Sequence, residues 1–463
     1  MIKRDASSIA HDVNAGLLDA VAVADAFSAT IASRNTALNA IVLHDPAGVR
    51  QQAAAVAQRI RDGEQLPLAG VPAVVKDNIW VAGQRITQGS RLFADFIAPQ
   101  DAIAVERLKA AGAIIIGIGN CPEFACKGQT NSPLHGVARH PLNSLLTPGG
   151  SSGGNAAALA ANFCPIALGT DGGGSGRRPP AHTGTVGFKP SFGAIPYGPG
   201  FPEPFWGVAV IAPMGRTVAD VALLFETLVG ADARDPDTIP IEPARGPSNV
   251  QHLRIAFSPR LGMDVPVDAD VEAAIESGVG LLAKAGWRIT RADPNWPAGI
   301  TEASFMAMQA GGLAAIHGGA FARDRSLFDP EIAGQIERGL SLAGHEVAAA
   351  LEASLVVKRS LAAFFGDYDL LLCPTAPCVA WGADRLGPTH IGGFEVPSRG
   401  HAVFTPFFNH ALTPAISIPC GRGRDGLPIG LQMIAKRGAD RLVLRAAKEA
   451  EDALSAINAY DRS

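Results

Sequence analysis

Two glycine-rich segments constrain this chain more than any other feature: Gly149-Gly150-Ser151-Ser152-Gly153-Gly154 and Gly169-Thr170-Asp171-Gly172-Gly173-Gly174-Ser175-Gly176-Arg177-Arg178-Pro179. Glycine at this density costs chain entropy, about 0.5–1 kcal/mol per residue relative to alanine in regular structure. A folded chain keeps it where backbone must approach something closely or adopt positive φ. Around these segments, short apolar runs at 71–75, 113–118 and 165–168 read as buried strands. Alanine-rich stretches with charges at helical spacing, at 6–33, 46–62, 101–112 and 153–162, read as helices. Strand, helix and strand in alternation predict an α/β protein, a sheet with helices on both faces.

Farther along, composition shifts to Asp, Pro and Arg near 232–250, which marks a connection. Residues 268–286 and 301–364 read as mostly helical, 369–373 and 415–419 as strands, and 439–457 as a closing helix. A length of 463 residues allows one large or two fused α/β domains. Aromatic residues make up only 6%, so Ala, Val, Ile and Leu must build the core.

In the second glycine segment, successive N–H groups of Gly172, Gly173, Gly174 and Ser175 would converge at the start of a helix. Such a nest binds an anion or a developing oxyanion. Ser175 at its rim is the natural nucleophile. Its base would be Lys76, one of only nine lysines, which ends an apolar strand where desolvation lowers an ammonium pKa. Ser151, 24 residues before Ser175, would sit between them and pass the proton. Spacing alone leaves two readings open: a Ser–Lys hydrolase, or glycine-rich structural turns with Lys76 salt-bridged to Asp77.

Several motifs fit a known family. They are Gly70-Val71-Pro72-Ala73-Val74-Val75-Lys76-Asp77, the two glycine segments, Gly187-Phe188-Lys189-Pro190, Pro213-Met214-Gly215-Arg216-Thr217-Val218-Ala219-Asp220 and Gly426-Leu427-Pro428-Ile429-Gly430-Leu431-Gln432. In these, in order and spacing, the chain resembles the amidase signature family over nearly its whole length. The resemblance implies that family's α/β fold, a large mixed, mostly parallel twisted sheet covered by helices on both faces. It implies a single domain over 1–463, with a catalytic core at 65–235, a largely helical portion at 250–365 and sheet-completing strands and a helix at 366–463. It further implies a triad of Lys76, Ser151 and Ser175, with Ser151 following a cis peptide bond. Gly172, Gly173 and Gly174 would form the oxyanion hole, and Ser152, Asp171 and Arg177 would brace the loop, the last two as an ion pair. The implied activity is cofactor-free hydrolysis of a small-molecule carboxamide through an acyl-enzyme on Ser175. The alternative is an amidotransferase A-type subunit supplying ammonia to a partner. A homodimer is common among such proteins.

The chain departs from the pattern at Gly172 and Gly176, where relatives often carry bulky aliphatic residues. The exchange would either enlarge the acyl pocket or loosen the loop. Arg178 stands where many relatives have an uncharged residue; it would either clamp a substrate carboxylate or be a solvated or ion-paired arginine. Phe124, Trp206 and Phe404 lie in non-periodic segments and are candidates for the pocket, with core packing as the alternative.

Other chemistries lack their signatures. Gly149-x-Ser151-x-Gly153 matches a nucleophile elbow, but prolines at 141 and 148 replace the strand that an elbow needs. Gly117-Ile118-Gly119 lacks the third glycine of a dinucleotide turn, Pro122 standing in its place. No P-loop, Ser-x-x-Lys or His-Glu-x-x-His occurs, and no metal site emerges. His182 reads as structural. The six cysteines form no Cys-x-x-Cys pair and read as small buried thiols of a reducing compartment. A net charge of −4 without a basic run argues against nucleic acid. The absence of an apolar leader or a spanning segment predicts a cytoplasmic protein without a membrane anchor.

Overall fold

The computed structural model describes residues 1–241 and 250–458. Eleven strands form one sheet. In spatial order they are Ile41–Leu43, Ile114–Gly119, Pro72–Lys76, Ile166–Asp171, Val210–Gly215, Val186–Lys189, Ala415–Arg422, Pro428–Ile434, Leu370–Pro374, Ile255–Phe257 and Ile289–Arg291. Helices flank it, and one continuous core of mostly Ala, Val, Ile and Leu runs from Ala6 to Leu454.

The sheet is mixed, as expected, but it is not mostly parallel. Parallel pairing joins Pro72–Lys76 to its neighbours on both sides, and Ile255–Phe257 to its neighbours on both sides. The remaining neighbour pairs are antiparallel. The cause lies in the connections. Ala415–Arg422 and Pro428–Ile434 are joined by a short turn, and Val186–Lys189 returns to Val210–Gly215 without an intervening helix. Neither link is a helical crossover, which a parallel pair requires.

The long helix expected at 6–33 is two, Ala6–Asn14 and Ala20–Leu38. Gly16 takes φ +70° between them, and the Asp19 side chain caps the second by accepting from the N–H groups of Val21 and Ala22. The helical stretch at 301–364 is likewise divided, chiefly into Met306–Arg323, Pro330–Ser341 and Gly344–Asp367. Part of the connection expected at 232–250, residues 242–249, lies outside the described residues. No single helix among the described residues is long and apolar enough to cross a membrane.

The fold delivers Lys76 to the middle of this sheet. Lys76 ends a fully buried strand and pairs with Gly119 on one side, while Val75 beside it pairs with Leu168 on the other. Helix Gly153–Ala160 packs directly against the ends of these strands. Its approach is too close for side chains: a Cβ on Gly154 would lie 2.4 Å from the Asn120 nitrogen and 2.5 Å from the Ala40 oxygen. Alanine gains about 1 kcal/mol of helix propensity over glycine, but rigid backbone cannot yield to such an overlap. Gly154→Ala is therefore expected to lower stability by about 1–3 kcal/mol in urea unfolding.

Candidate active site

Lys76 is completely buried, yet among the described residues it forms no ion pair. Its Nζ lies 2.8 Å from Ser151 Oγ and 2.8 Å from Thr170 Oγ1. Asp77, the partner in the purely structural reading, faces elsewhere. Its carboxylate accepts from the Thr87 N–H at 2.7 Å, the Thr87 hydroxyl and the Gly89 N–H at 3.1 Å, with His135 at 3.4 Å. Burial lowers the Lys76 pKa to about 8, although the negative charge of Asp171 and the nearby Cys121 and Cys126 thiols oppose the shift. About a tenth of the amine is then uncharged at pH 7.

Thr170 is a site residue that the sequence does not reveal. It sits one residue before the end of the neighbouring strand, where its hydroxyl also accepts from Asn78 Nδ2 at 3.1 Å. The parallel register of Pro72–Lys76 against Ile166–Asp171 puts it beside the amine; no motif announces that. Ser152 donates to the Thr170 carbonyl at 3.2 Å and ties the first glycine segment to the same strand. The Gly150–Ser151 peptide bond is cis.

The second segment is organised by Asp171. Its carboxylate accepts from the N–H groups of Gly174 at 2.6 Å and Gly176 at 3.1 Å, and from Arg177 Nε and Nη2 at 2.9 and 3.0 Å. Arg177, fully buried, also donates to the Thr405 carbonyl, the Gln432 amide oxygen and the Asn409 amide oxygen. Burial would raise the Asp171 pKa, but the charge and hydrogen bonds of Arg177 and the Asn409 amide outweigh it and hold the carboxyl well below its usual range. The bracing ion pair is thus in place. The same contacts correct one expectation: the Gly174 N–H is committed to Asp171 and is not an oxyanion donor. Among the described residues, no hydrogen bond engages the N–H groups of Gly172, Gly173 or Ser175.

The glycines of this segment have packing causes. Gly174 has φ +116°, and a Cβ there would meet Thr405 Oγ1 at 2.1 Å. At Gly172 the missing side chain is replaced by the Phe205 ring, 2.9 Å from where a Cβ would stand, so the exchange neither enlarges the pocket nor leaves a gap. Gly176 lies against Ala212 of the adjacent strand, with 2.5 Å available.

Ser175 lies between two cavities. One is shared with Ser151, Thr170, Asn78, Phe124 and Phe201, the other with Arg178, Lys127, Glu302 and Arg399. Phe124 therefore lines the site, stacked on His317 at 3.9 Å. Trp206 and Phe404 do not line either cavity. Trp206 is half exposed with its Nε1 on the Met308 carbonyl, and Phe404 is buried in the main core. Phe205, one residue earlier than Trp206, lines both cavities. His182 is buried, and burial lowers its pKa to about 3 beside His140 and Arg178, which keeps it neutral. It packs edge-on against Trp381. All six cysteines are buried and unpaired.

A mixed α/β sheet that buries an unpaired lysine against a serine, beside a glycine-nested second serine, is the architecture of amidases. The Amidase family profile matches residues 22–444, and the chain belongs to the amidase signature family. It is 35% identical to the A-type subunit of a glutamyl-tRNA(Gln) amidotransferase from Symbiobacterium thermophilum, over 94% of this chain and 93% of that one. It is 33% identical to an acylamidase of Rhodococcus erythropolis, over 96% and 94%. The crystal structure of a bacterial aryl acylamidase of the same family superposes with a TM-score of 0.90 at 28% identity, covering 98% of each chain.

The Asp171–Arg177 pair yields a stability test. Asp171→Asn leaves a buried guanidinium without its counter-charge, and unfolding free energy is expected to fall by about 3–5 kcal/mol in denaturant titration. An unchanged midpoint would show that the pair does not brace the loop.

Proposed function

We propose that this protein is an amidohydrolase that cleaves a carboxamide C–N bond through an acyl-enzyme on Ser175. The observation that carries the reading is the buried Lys76 amine, which no carboxylate pairs among the described residues, at 2.8 Å from Ser151, whose side chain shares a cavity with Ser175. Uncharged Lys76 accepts the Ser151 hydroxyl proton as Ser151 accepts that of Ser175. The freed Ser175 oxygen attacks the carbonyl carbon. The N–H groups of Gly172, Gly173 and Ser175, which have no partner among the described residues, receive the developing oxyanion; each such donor is typically worth about 10²–10³ in rate. Ser151 then returns a proton to the nitrogen, the C–N bond breaks, and ammonia or an amine leaves. Water attacks the Ser175 ester by the same proton path and releases the carboxylic acid. Thr170, which holds the amine, and Asn78, which holds the Thr170 hydroxyl, are positioning residues.

The likeness to the A-type subunit of an amidotransferase supports a second reading, in which the same acyl transfer supplies ammonia to a partner. The purified chain separates the two. Hydrolysis of simple amides by the chain alone supports the first reading, and glutaminase activity that appears only with a second protein supports the other.

Two measurements test the chemistry. A fluorophosphonate probe is expected to label the wild-type protein and not Ser175→Ala, with kcat for Ser175→Ala or Ser151→Ala down by about 10⁴-fold or more. Because the charged lysine cannot accept a proton, kcat/KM is expected to rise with pH through about 8, the lowered Lys76 value. Lys76→Met would lose both the rate and this limb. A profile flat from pH 6 to about 10 would remove Lys76 as the base.

A further inference from the structure

Arg178 is a buried cation with no counter-ion. Among the described residues no carboxylate lies within ion-pair distance of it, its Nε has no hydrogen-bond partner, and its one contact is a long 3.4 Å bond from Nη1 to Thr405 Oγ1. The nearby acids are already committed. Glu302 is held by Arg399 through Nε at 2.7 Å and through Nη2, and Asp171 is saturated by Arg177, Asn409 and main-chain donors. Lys127, on the same cavity wall, is matched by Asp329 at 2.6 Å. Pairing off these charges leaves one positive charge on the cavity wall beside Ser175. The solvated or ion-paired arginine that the sequence also allowed is therefore not found.

A fold retains an uncompensated buried guanidinium at considerable expense in stability. A ligand that supplies the missing anion offsets that loss whenever it binds. Geometry fixes the place of that anion on the substrate. Ser151 returns the proton to the leaving nitrogen, so the cavity it shares with Ser175 is the leaving-group side. Arg178 lines the other cavity, which Ser151 does not line and which is left for the acyl part. Arg177 and Arg178 both donate main-chain N–H to the Gly174 carbonyl, so Ser175 and Arg178 stand three residues apart on one helical turn. Both line one cavity, so a carbonyl at Ser175 and an anion at Arg178 are joined by a short chain.

We infer that the substrate is an amide whose acyl part carries a carboxylate a few carbons from the scissile carbonyl, a half-amide of a short dicarboxylic acid, and that Arg178 binds that carboxylate. This rests on the amidohydrolase reading, and the test separates the two. Ammonia release from succinamate and from butyramide is compared for wild type, Arg178→Met and Arg178→Lys. Wild type is expected to favour succinamate in kcat/KM by about 100-fold or more, because a site built for a polar group rejects its absence strongly. That ratio is expected to collapse in Arg178→Met and to be only partly kept in Arg178→Lys, which retains charge without the planar fork. Succinate should also slow fluorophosphonate labelling of the wild-type protein, a readout that needs no variant to fold. Intact Ser175 labelling that succinate leaves unaffected, or a wild-type ratio within about threefold of one, overturns the carboxylate alone. Failure of the probe to label Ser175 overturns the hydrolase reading and this inference with it.

Discussion

The Asp171–Arg177 pair sits at the root of the site, and little near Ser175 keeps its shape without it. Two fully buried charges are costly to desolvate, and here Asp171 also accepts from Gly174, Gly176 and Asn409, while Arg177 also donates to Asn409, Gln432 and Thr405. Their reach is what matters. Gly174 and Gly176 belong to the loop that carries Ser175, Asn409 and Thr405 to the segment around helix Pro406–His410, and Gln432 to the strand Pro428–Ile434. One carboxylate therefore locks a glycine-rich, entropically costly loop to chain more than 200 residues away. It also uses up the Gly174 N–H, while the N–H groups of Gly172, Gly173 and Ser175 have no partner among the described residues.

On the two sides of Ser175 the electrostatics differ. Toward Ser151 the important group is the Lys76 amine, whose pKa burial lowers, and the surroundings are hydroxyls, an amide and aromatic rings. Toward Arg178 the important group is a guanidinium that keeps its charge: burial and Arg399 lower its pKa only to about 10. The same physical cause, burial, acts on both. Lysine responds by approaching neutrality near working pH, while arginine, starting about two units higher, does not. Residue type alone thus leaves one side with an amine close to neutrality and the other with a lasting positive charge.

Much of this site was legible in the sequence because it is built from rare local features. A lysine closing an apolar run and serines set among glycines contradict ordinary packing, and Lys76, Ser151, Ser175, Asp171 and Arg177 follow from them. Phe124 lines the site as expected and Trp206 does not, because aromatic residues in loops carry no period to say which way they point; the neighbour Phe205 takes that place. Thr170 was hidden because its role comes from the parallel register of two strands, which is not written in either strand. The short strands Ile41–Leu43, Ile255–Phe257 and Ile289–Arg291 were too brief to show alternation, and Pro213 and Pro428 hid two more. The parallel bias failed for a related reason, since a sheet's direction is set by its connections and not by strand composition.

A lowered lysine pKa is not what singles out Lys76. Lys189 is equally buried and is lowered further, to about 7, with burial the main cause and Arg177 adding to it. By titration alone Lys189 would be the better base. Its amine, however, donates to the carbonyl of the adjacent Pro190 at 2.9 Å, and among the described residues no hydroxyl accepts from it. A carbonyl has no proton to give, so a neutral Lys189 has nothing to abstract. Lys76 meets two hydroxyls, those of Ser151 and Thr170, and both line the cavity that Ser175 shares. A catalytic amine differs from a merely desolvated one in having a transferable proton within hydrogen-bond reach. In this fold the strand register and the glycine turn that carries Ser151 bring that proton to Lys76.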